Sequence, residues 1–349
     1  MTEKVVEPNI HSTTTGYGLV AAPAGMNVNT DGTITWTPAQ TQSPSTNQVI
    51  LVVTNSNPYD LVNPHLPATN SFFVVVREVN VPSTLSHIST HTVDELTALI
   101  VTNTATEPNI HSTTTGYGLL AAPAGMSVNT NGVISWTPTQ TQSPTTNQVT
   151  LVVSNSNPYD LINPHLSATN SFTVIVLEVN RAPILSIIPR LIATESCLFT
   201  VTNTATEPNI HSTSSYTLLS APAGMAIDSN GIITWMPSHG QSPSTNLVTT
   251  VANNYNPYDL VNPHLSVTNS FTVIVHPPII LTNLTWIATG RFQFTANSIA
   301  GVSYSVQYST TLSNWFPMKV LNGSGDSIQI VDPDVVQSTH RFYRVKREP

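Results

Sequence analysis

The chain has 349 residues, 40% of them hydrophobic and only 8% charged, where ordinary soluble domains carry roughly 25% charged residues. Its polar surface must therefore be Thr, Ser, Asn and Gln, which suits a protein packed against copies of itself or coated with sugar. A formal charge of −8 without any Lys/Arg stripe excludes nucleic acid as a partner, and no apolar run reaches the roughly 18 residues of a membrane span.

Met1-Thr2-Glu3-Lys4 begins no signal peptide, so a secreted chain would be met here in mature form or would leave by another route. Glu7-Pro8-Asn9-Ile10-His11-Ser12 then opens a pattern that returns as Glu107-Pro108-Asn109-Ile110-His111-Ser112 and as Glu207-Pro208-Asn209-Ile210-His211-Ser212. The same register carries Trp36, Trp136 and Trp235, and Asn-Pro-Tyr-Asp at 57–60, 157–160 and 256–259. The period is about 100 residues, the size of one β-sandwich domain. Triplication also weighs against an enzyme, since an active site rarely comes in three near-identical copies along one chain.

Within each repeat the elements read as short strands. Met26-Asn27-Val28, the turn Asp31-Gly32, and then Ile34 and Trp36 alternating with threonines predict a hairpin, because both turn positions need φ > 0. Asn131-Gly132 and Asn230-Gly231 repeat that signal. Trp36, Trp136 and Trp235 share a phase with Ile34, Ile134 and Ile233, which puts the three tryptophans in the core. Val49–Val53 predicts a strand, followed by a long loop through Asn-Pro-Tyr-Asp. The run Phe72–Val76 is almost continuously apolar and predicts a strand buried on both faces. Lone Cys197, beside Leu198 and Phe199, is expected to be a buried, inert thiol with no disulfide partner.

From Pro277-Pro278 the pattern changes. Phe292-Gln293-Phe294, Tyr304–Tyr308, Ile328-Gln329-Ile330 and Phe342–Val345 alternate, with turns at Asn322-Gly323 and Ser324-Gly325. The predicted fold class is all-β, with three tandem immunoglobulin-like sandwiches and a smaller C-terminal one. The domains are 1–80, 81–180, 181–276 and 277–349. The first repeat lacks its opening strands: the second has Thr84–Thr106 and the third Ile184–Thr206, where the first has only Met1–Val6 ahead of Glu7. A sandwich without those strands exposes unpaired edge groups and an apolar groove, which a strand from another subunit could fill; the alternative is that the opening strands belong to a longer chain of which residues ahead of Met1 are not in this sequence.

Ala-Pro-Ala-Gly-Met at 22–26, Gly-Thr-Ile-Thr-Trp-Thr-Pro at 32–38 and Thr-Asn-Ser-Phe with its Val run at 69–76 resemble the immunoglobulin-like, cadherin-like repeats of large bacterial surface proteins. Glu178-Val179-Asn180-Arg181-Ala182-Pro183 resembles the linker of that family. The tail, from Tyr304–Ser309 to Arg341–Val345, resembles the small β domain that often ends such proteins. The resemblance implies extracellular β-sandwich arrays in adhesion or surface structure, some of them binding calcium. Many members carry an Asp-x-Asp cluster where this chain has Glu-Pro-Asn.

Calcium takes six to eight oxygen ligands, several of them carboxylate. Each repeat offers one recurring Glu and one recurring Asp, so Glu107, Asp160, Glu207 and Asp259 are the candidate ligands of a weak calcium site. The same Asn, Asp and Pro residues read equally as turn formers, and no cofactor is expected. Two histidines recur per repeat, His11/His111/His211 and His65/His165/His264, as packing or hydrogen-bonding groups. Thr13, Thr14, Thr113 and Thr114 are candidate O-glycan sites, against the reading that Thr is simply a good strand and loop residue. Asn283 and Asn322 head N-x-Ser/Thr sequons.

Residues 1–276 hold four bases against fourteen acids, whereas 277–349 hold six against four. Head-to-tail attraction between subunits would follow from that asymmetry. Together these features predict a non-enzymatic structural subunit of an extracellular bacterial fibre. It would form a head-to-tail homopolymer, with strand donation into the first repeat and with covalent glycans as candidate partners. The alternative is a cell-surface adhesin binding a glycan or protein ligand without polymerising.

Overall fold

The computed structural model describes residue 1 and residues 5–287, 291–334 and 340–348. Residues 2–4, part of the short lead-in ahead of Glu7, lie outside the described residues. The described residues form two compact units, Met1–Val179 and Asn180–Pro349. Both are built of strands; 3-10 turns occur at Gln40–Gln42 and Gln140–Gln142.

The first unit begins with β1 (Thr13–Ala21), β2 (Asn27–Val28), β3 (Ile34–Thr35), β4 (Ser45–Ser56) and β5 (Pro67–Val76). It continues with β6 (Thr84–Leu85), β7 (His91–Asp94), β8 (Leu99–Thr102), β9 (Ala105–Thr106), β10 (Thr113–Ala121), β11 (Ser127–Val128), β12 (Val133–Trp136), β13 (Thr145–Ser156) and β14 (His165–Leu177). In the second repeat a four-stranded sheet, β10-β13-β14-β7, faces the three-stranded β11-β12-β8, with β6-β9 as a small ribbon. β7 runs parallel to β14. Alternation turns Ile134 and Trp136 inward, 0% and 3% exposed, onto Val149, Leu151, Phe172 and Val174. The indole N–H of Trp136 donates to the Ala124 carbonyl at 3.1 Å, so the buried ring keeps its polar atom satisfied. Gly132 makes the hairpin at φ +75°, and a Cβ there would lie 2.4 Å from the Asn103 carbonyl oxygen, so no other residue fits that turn.

The first repeat has the same plan with fewer strands among the described residues. Its sheets are β1-β4-β5 and β2-β3. Nothing among the described residues stands beside β5 as β7 stands beside β14. Among the described residues the place of β8 is held by Met1, whose carbonyl accepts from Ile34 N at 2.9 Å. The core is correspondingly open. Trp36, Phe72, Val74 and Val76 are half-buried where Trp136, Phe172, Val174 and Val176 are buried. Phe73 and Val75 are 67% and 62% exposed, which corrects the expectation of a strand covered on both faces: β5 buries one face only and has an uncovered edge.

The second unit starts with β15 (Ile184–Leu185), β16 (Leu191–Thr194), β17 (Phe199–Thr202), β18 (Ala205–Thr206), β19 (Thr213–Ser220), β20 (Ala226–Ile227), β21 (Ile232–Trp235), β22 (Ser244–Tyr255) and β23 (His264–His276). These rebuild the complete sandwich, with Trp235 at 1% exposure. β24 (Leu281–Trp286), β25 (Phe292–Asn297), β26 (Ser303–Ser309), β27 (Phe316–Asn322), β28 (Ser327–Val331) and β29 (Phe342–Arg347) form two three-stranded sheets over Phe294, Ala296, Val306 and Ile330. Cys197 is exposed, contrary to the expected buried thiol. The turn before β17 passes through Ser196 at φ +60° and lifts Ser196, Cys197 and Leu198 off the sandwich.

Candidate functional site

The polar residues that recur with the period gather at one end of each complete sandwich, around the segment that enters it. In the second repeat the loop after β13 is shaped by its own side chains. Asn157 Oδ1 accepts from Tyr159 N at 3.1 Å, and Asp160 Oδ1 accepts from Ile162 N and Asn163 N at 2.9 and 3.0 Å. Asn157 N closes the loop onto the Pro164 carbonyl at 2.8 Å. These turns leave Asp160 Oδ2 facing the linker, where it accepts the backbone N–H of Asn80 at 2.7 Å.

Asn80 is the centre of the arrangement and is 6% exposed. Its Nδ2 donates to Asn155 Oδ1 and the Asn163 carbonyl, both at 3.1 Å. Its Oδ1 accepts from Ser112 Oγ at 2.9 Å and Asn155 Nδ2 at 3.2 Å. Asn109 holds the chain on either side, accepting from Val81 N at 2.6 Å and donating to the Val79 carbonyl at 3.1 Å. Glu107 Oε1 takes the hydroxyls of Ser83 and Thr114, and its Oε2 takes Asn155 Nδ2 at 3.1 Å. Glu78 Oε1 accepts from Asn157 Nδ2 at 3.0 Å, its Oε2 from Ser43 Oγ, and His111 Nδ1 stands 3.3 Å from that oxygen. The His111 ring packs edge-on against Tyr159 at 5.1 Å.

Burial pushes the Glu107 and Glu78 carboxyls up, but the hydroxyl and amide donors aimed at them outweigh it, so both titrate below the ordinary value. Backbone N–H donors from Asn163, Asn80 and Ile162 hold Asp160 down likewise. The negative charge is thus met by hydrogen-bond donors rather than by Lys or Arg, a stronger class of bond than a neutral pair.

The second unit repeats the centre around Asn180. Its N–H donates to Asp259 Oδ2 at 2.7 Å, its Nδ2 to Asn254 Oδ1 at 3.1 Å, and Asn254 Nδ2 returns to Asn180 Oδ1 at 2.8 Å. Asn254 Nδ2 also reaches Glu207 Oε1 at 3.2 Å.

The structure therefore brings Glu107 and Asp160 to one centre, and Glu207 and Asp259 to another, but with an asparagine carboxamide between them. A calcium ion needs carboxylate oxygens free to face it. Here both oxygens of Asp160 and of Glu107 already accept protein donors, and the space between them is taken by Asn80 and Asn155. That donor set does not fit the cation. Among the described residues no group of three or more His, Cys, Asp or Glu is placed to hold a metal ion.

Thr13 and Thr113 are exposed at strand starts. The hydroxyls of Thr14 and Thr114 donate to Glu7 and Glu107 at 2.8 and 2.6 Å, so they serve the carboxylates. Asn283 and Asn322 are exposed. The basic tail is engaged at home. Arg341 pairs with Asp332 at 3.0 Å, Arg344 lies over the Trp315 ring at 4.2 Å, and Arg347 donates to the Pro277 carbonyl.

Sequence reading missed Glu78, Asn80, Ser83, Ser112 and Asn155, the residues that join the recurring acids into one network. The available signal was the recurrence of Glu-Val-Asn at 78–80 and 178–180 in a stretch with no turn to form.

In comparisons with known proteins, the family described as "Putative Ig domain" matches residues 81–177 and 182–276, more than half of the chain. No curated protein matches. Similar solved structures include mouse cadherin-23 EC22-24, 18% identical over 78% of this chain and 90% of that one, TM-score 0.39. Mouse protocadherin-24 EC1-3 is 14% identical over 74% of this chain and 90% of that one, TM-score 0.36. Drosophila N-cadherin EC1-4 is 12% identical over 99% of this chain and 90% of that one, TM-score 0.31.

Proposed function

The chain belongs to that immunoglobulin-like family, and from this premise we propose that it is a structural subunit of an extracellular bacterial fibre, joined head to tail by completion of the first repeat. Tandem repeats of this kind are typical of extracellular adhesive and structural modules and are typically non-enzymatic. The division at 1–80, 81–180, 181–276 and 277–349 belongs to the same reading. The observation that carries it is the contrast between repeats. β14 has β7 along its outer edge and β12 has β8, whereas among the described residues no strand lies beside β5, β3 meets only Met1 there, and Phe73 and Val75 are exposed. An open edge beside a half-buried core is a template for pairing with another chain.

The joint is heterologous, and a heterologous contact that does not close gives a filament. The internal engagement of Arg341, Arg344 and Arg347, with β29 already paired along β26, turns attention from the basic tail to a segment resembling the missing strands. The test is electron microscopy of the purified chain beside a variant in which residues 81–106 replace residues 1–6. Filaments from the parent and dispersed single particles from the variant support the reading; equal polymerisation of both removes it.

A second reading, an adhesive module without polymerisation, draws on the apolar loop tips. Leu61-Val62 are 91% and 83% exposed, Leu161-Ile162 91% and 74%, and Leu260-Val261 91% and 83%. Such residues at one place in every repeat suit contact with a ligand surface.

A further inference from the structure

The loop end of the first repeat is assembled in the same way as the other two, and among the described residues no linker segment is seated on it. Asn57 Oδ1 accepts from Tyr59 N at 3.0 Å, Asp60 Oδ1 accepts from Val62 N and Asn63 N, both at 3.0 Å, and Asn57 N donates to the Pro64 carbonyl at 2.8 Å. Asn55 Oδ1 accepts from Leu66 N at 3.1 Å, as Asn155 does from Leu166 at 3.2 Å. Glu7 is held by Thr14 Oγ1 at 2.8 Å and Asn55 Nδ2 at 3.2 Å, and the His11 ring meets Tyr59 edge-on at 5.2 Å. Every turn that shapes the occupied site is therefore made without an occupant.

What differs is the set of groups that face the linker elsewhere. Asp160 Oδ2 receives Asn80 N, and Asn157 Nδ2 reaches Glu78; among the described residues no donor reaches Asp60 Oδ2 and no acceptor meets Asn57 Nδ2. Asn155, Asn157 and Asp160 are 0%, 0% and 4% exposed, while Asn55, Asn57 and Asp60 are half-buried.

We propose that the loop end of the first repeat is a recognition site for an extended Glu-x-Asn segment, a carboxylate two residues ahead of a carboxamide, which positions the strands that follow it along β5 and β3. The occupant is defined by Glu78-Val79-Asn80, seated in the second repeat, and by Asn180, whose N–H and carboxamide make the same bonds in the third. The carboxylate takes Asn57 Nδ2, the asparagine N–H takes Asp60 Oδ2, and the carboxamide pairs with Asn55. After Asn80 and after Asn180 the chain runs directly into strands that flank the same sheets, so one donor satisfies loop end and open edge together. Preformed turns lower the ordering cost of binding, and the site rejects a segment lacking the carboxamide because it would leave buried amides unpaired. This rests on the reading that the first repeat is completed by a segment from outside it.

The experiment titrates the full chain with labelled synthetic peptides of residues 77–106, native and with Asn80→Ala, following anisotropy and hydrogen exchange of residues 55–66. The native peptide should bind one per chain and protect 55–66, and the Asn80→Ala peptide should bind on the order of 10- to 100-fold more weakly. The Asp60→Asn chain keeps the oxygen that caps Val62 and Asn63 but turns an N–H₂ toward the incoming N–H, so it should weaken native peptide similarly while circular dichroism stays unchanged. Equal binding of the two peptides would overturn Glu-x-Asn recognition and leave strand completion standing. No binding of either, or protection confined to 155–166, would overturn both.

Discussion

Asn80→Ala tests whether the linker asparagine is the central fastening of the second repeat's loop end. The substitution deletes donations to Asn155 Oδ1 and the Asn163 carbonyl and acceptance from Ser112 and Asn155. Asn155, which is 0% exposed, loses both bonds to residue 80 and keeps those to Val81, Glu107 and Leu166. The backbone bond from residue 80 to Asp160 remains. At about 1 kcal/mol net for each buried bond, with a larger cost where a buried partner goes unsatisfied and some recovery if water enters, the loss is about 3 kcal/mol. That is about 100-fold in a local opening equilibrium, since 1.4 kcal/mol is about tenfold. Hydrogen exchange followed by mass spectrometry should show amides of 155–166 exchanging about 100-fold faster, with those of β26 unchanged. Exchange of 155–166 within about threefold of the parent would refute the central role given to Asn80.

Three further outcomes follow from the same geometry. Trp136→Ala should cost roughly 3–5 kcal/mol in its own repeat and Trp36→Ala less, because Trp36 is only half-buried, as denaturant titrations of the two variants would compare; a Trp136→Ala chain as stable as the parent would remove that ring from the core. Thermal melts in calcium and in chelator should agree within a few degrees, since the acceptors around Asn80 are already satisfied, and a large chelator-induced drop would show that a cation is held there after all. Glu78 and Glu107 titrate below their ordinary 4.5 and Asp160 below its 3.8; depressed carboxylates give stability that is full above the unfolded value and is lost as pH falls through the folded one. Protection of 155–166 should therefore hold from pH 7 to about 5 and decline below about 4.5, and a rise on acidification would contradict the sign.

The hairpins were legible because Asp31-Gly32 and its copies admit one backbone solution, and the complete cores because Ile134 and Trp136 alternate with polar neighbours. The missing strands of the first repeat were legible from alignment against the other two. The linker network was not. Asn80 and Asn155 stand 75 positions apart, and each alone reads as a turn former; only the fold shows that two carboxamides face each other. Cys197 failed for a local reason. Its apolar neighbours Leu198 and Phe199 suggested burial, yet a left-handed residue at Ser196 sets the chain outside the sheet, and only Phe199 turns back toward the core.

The uncovered edge of β5 has a consequence for how the chain reaches its fold. Thr69–Val76 and Thr169–Val176 differ at two of eight positions, and residues 84–106 lie between them. Of those residues His91–Asp94 pair with β14 and Leu99–Thr102 with β12, but His91 follows Val76 by 15 positions, enough chain to return beside β5 first. Two acceptors compete for one donor, and during synthesis from the N-terminus the nearer one exists earlier. Folding would then be a kinetic partition between these residues paired in the first domain and paired in the native second one, and near-identical neighbours are where such misassembly concentrates. A filler arriving early at β5 would act as a template that releases 84–106 to its own domain, coupling the yield of folded chain to the supply of that filler.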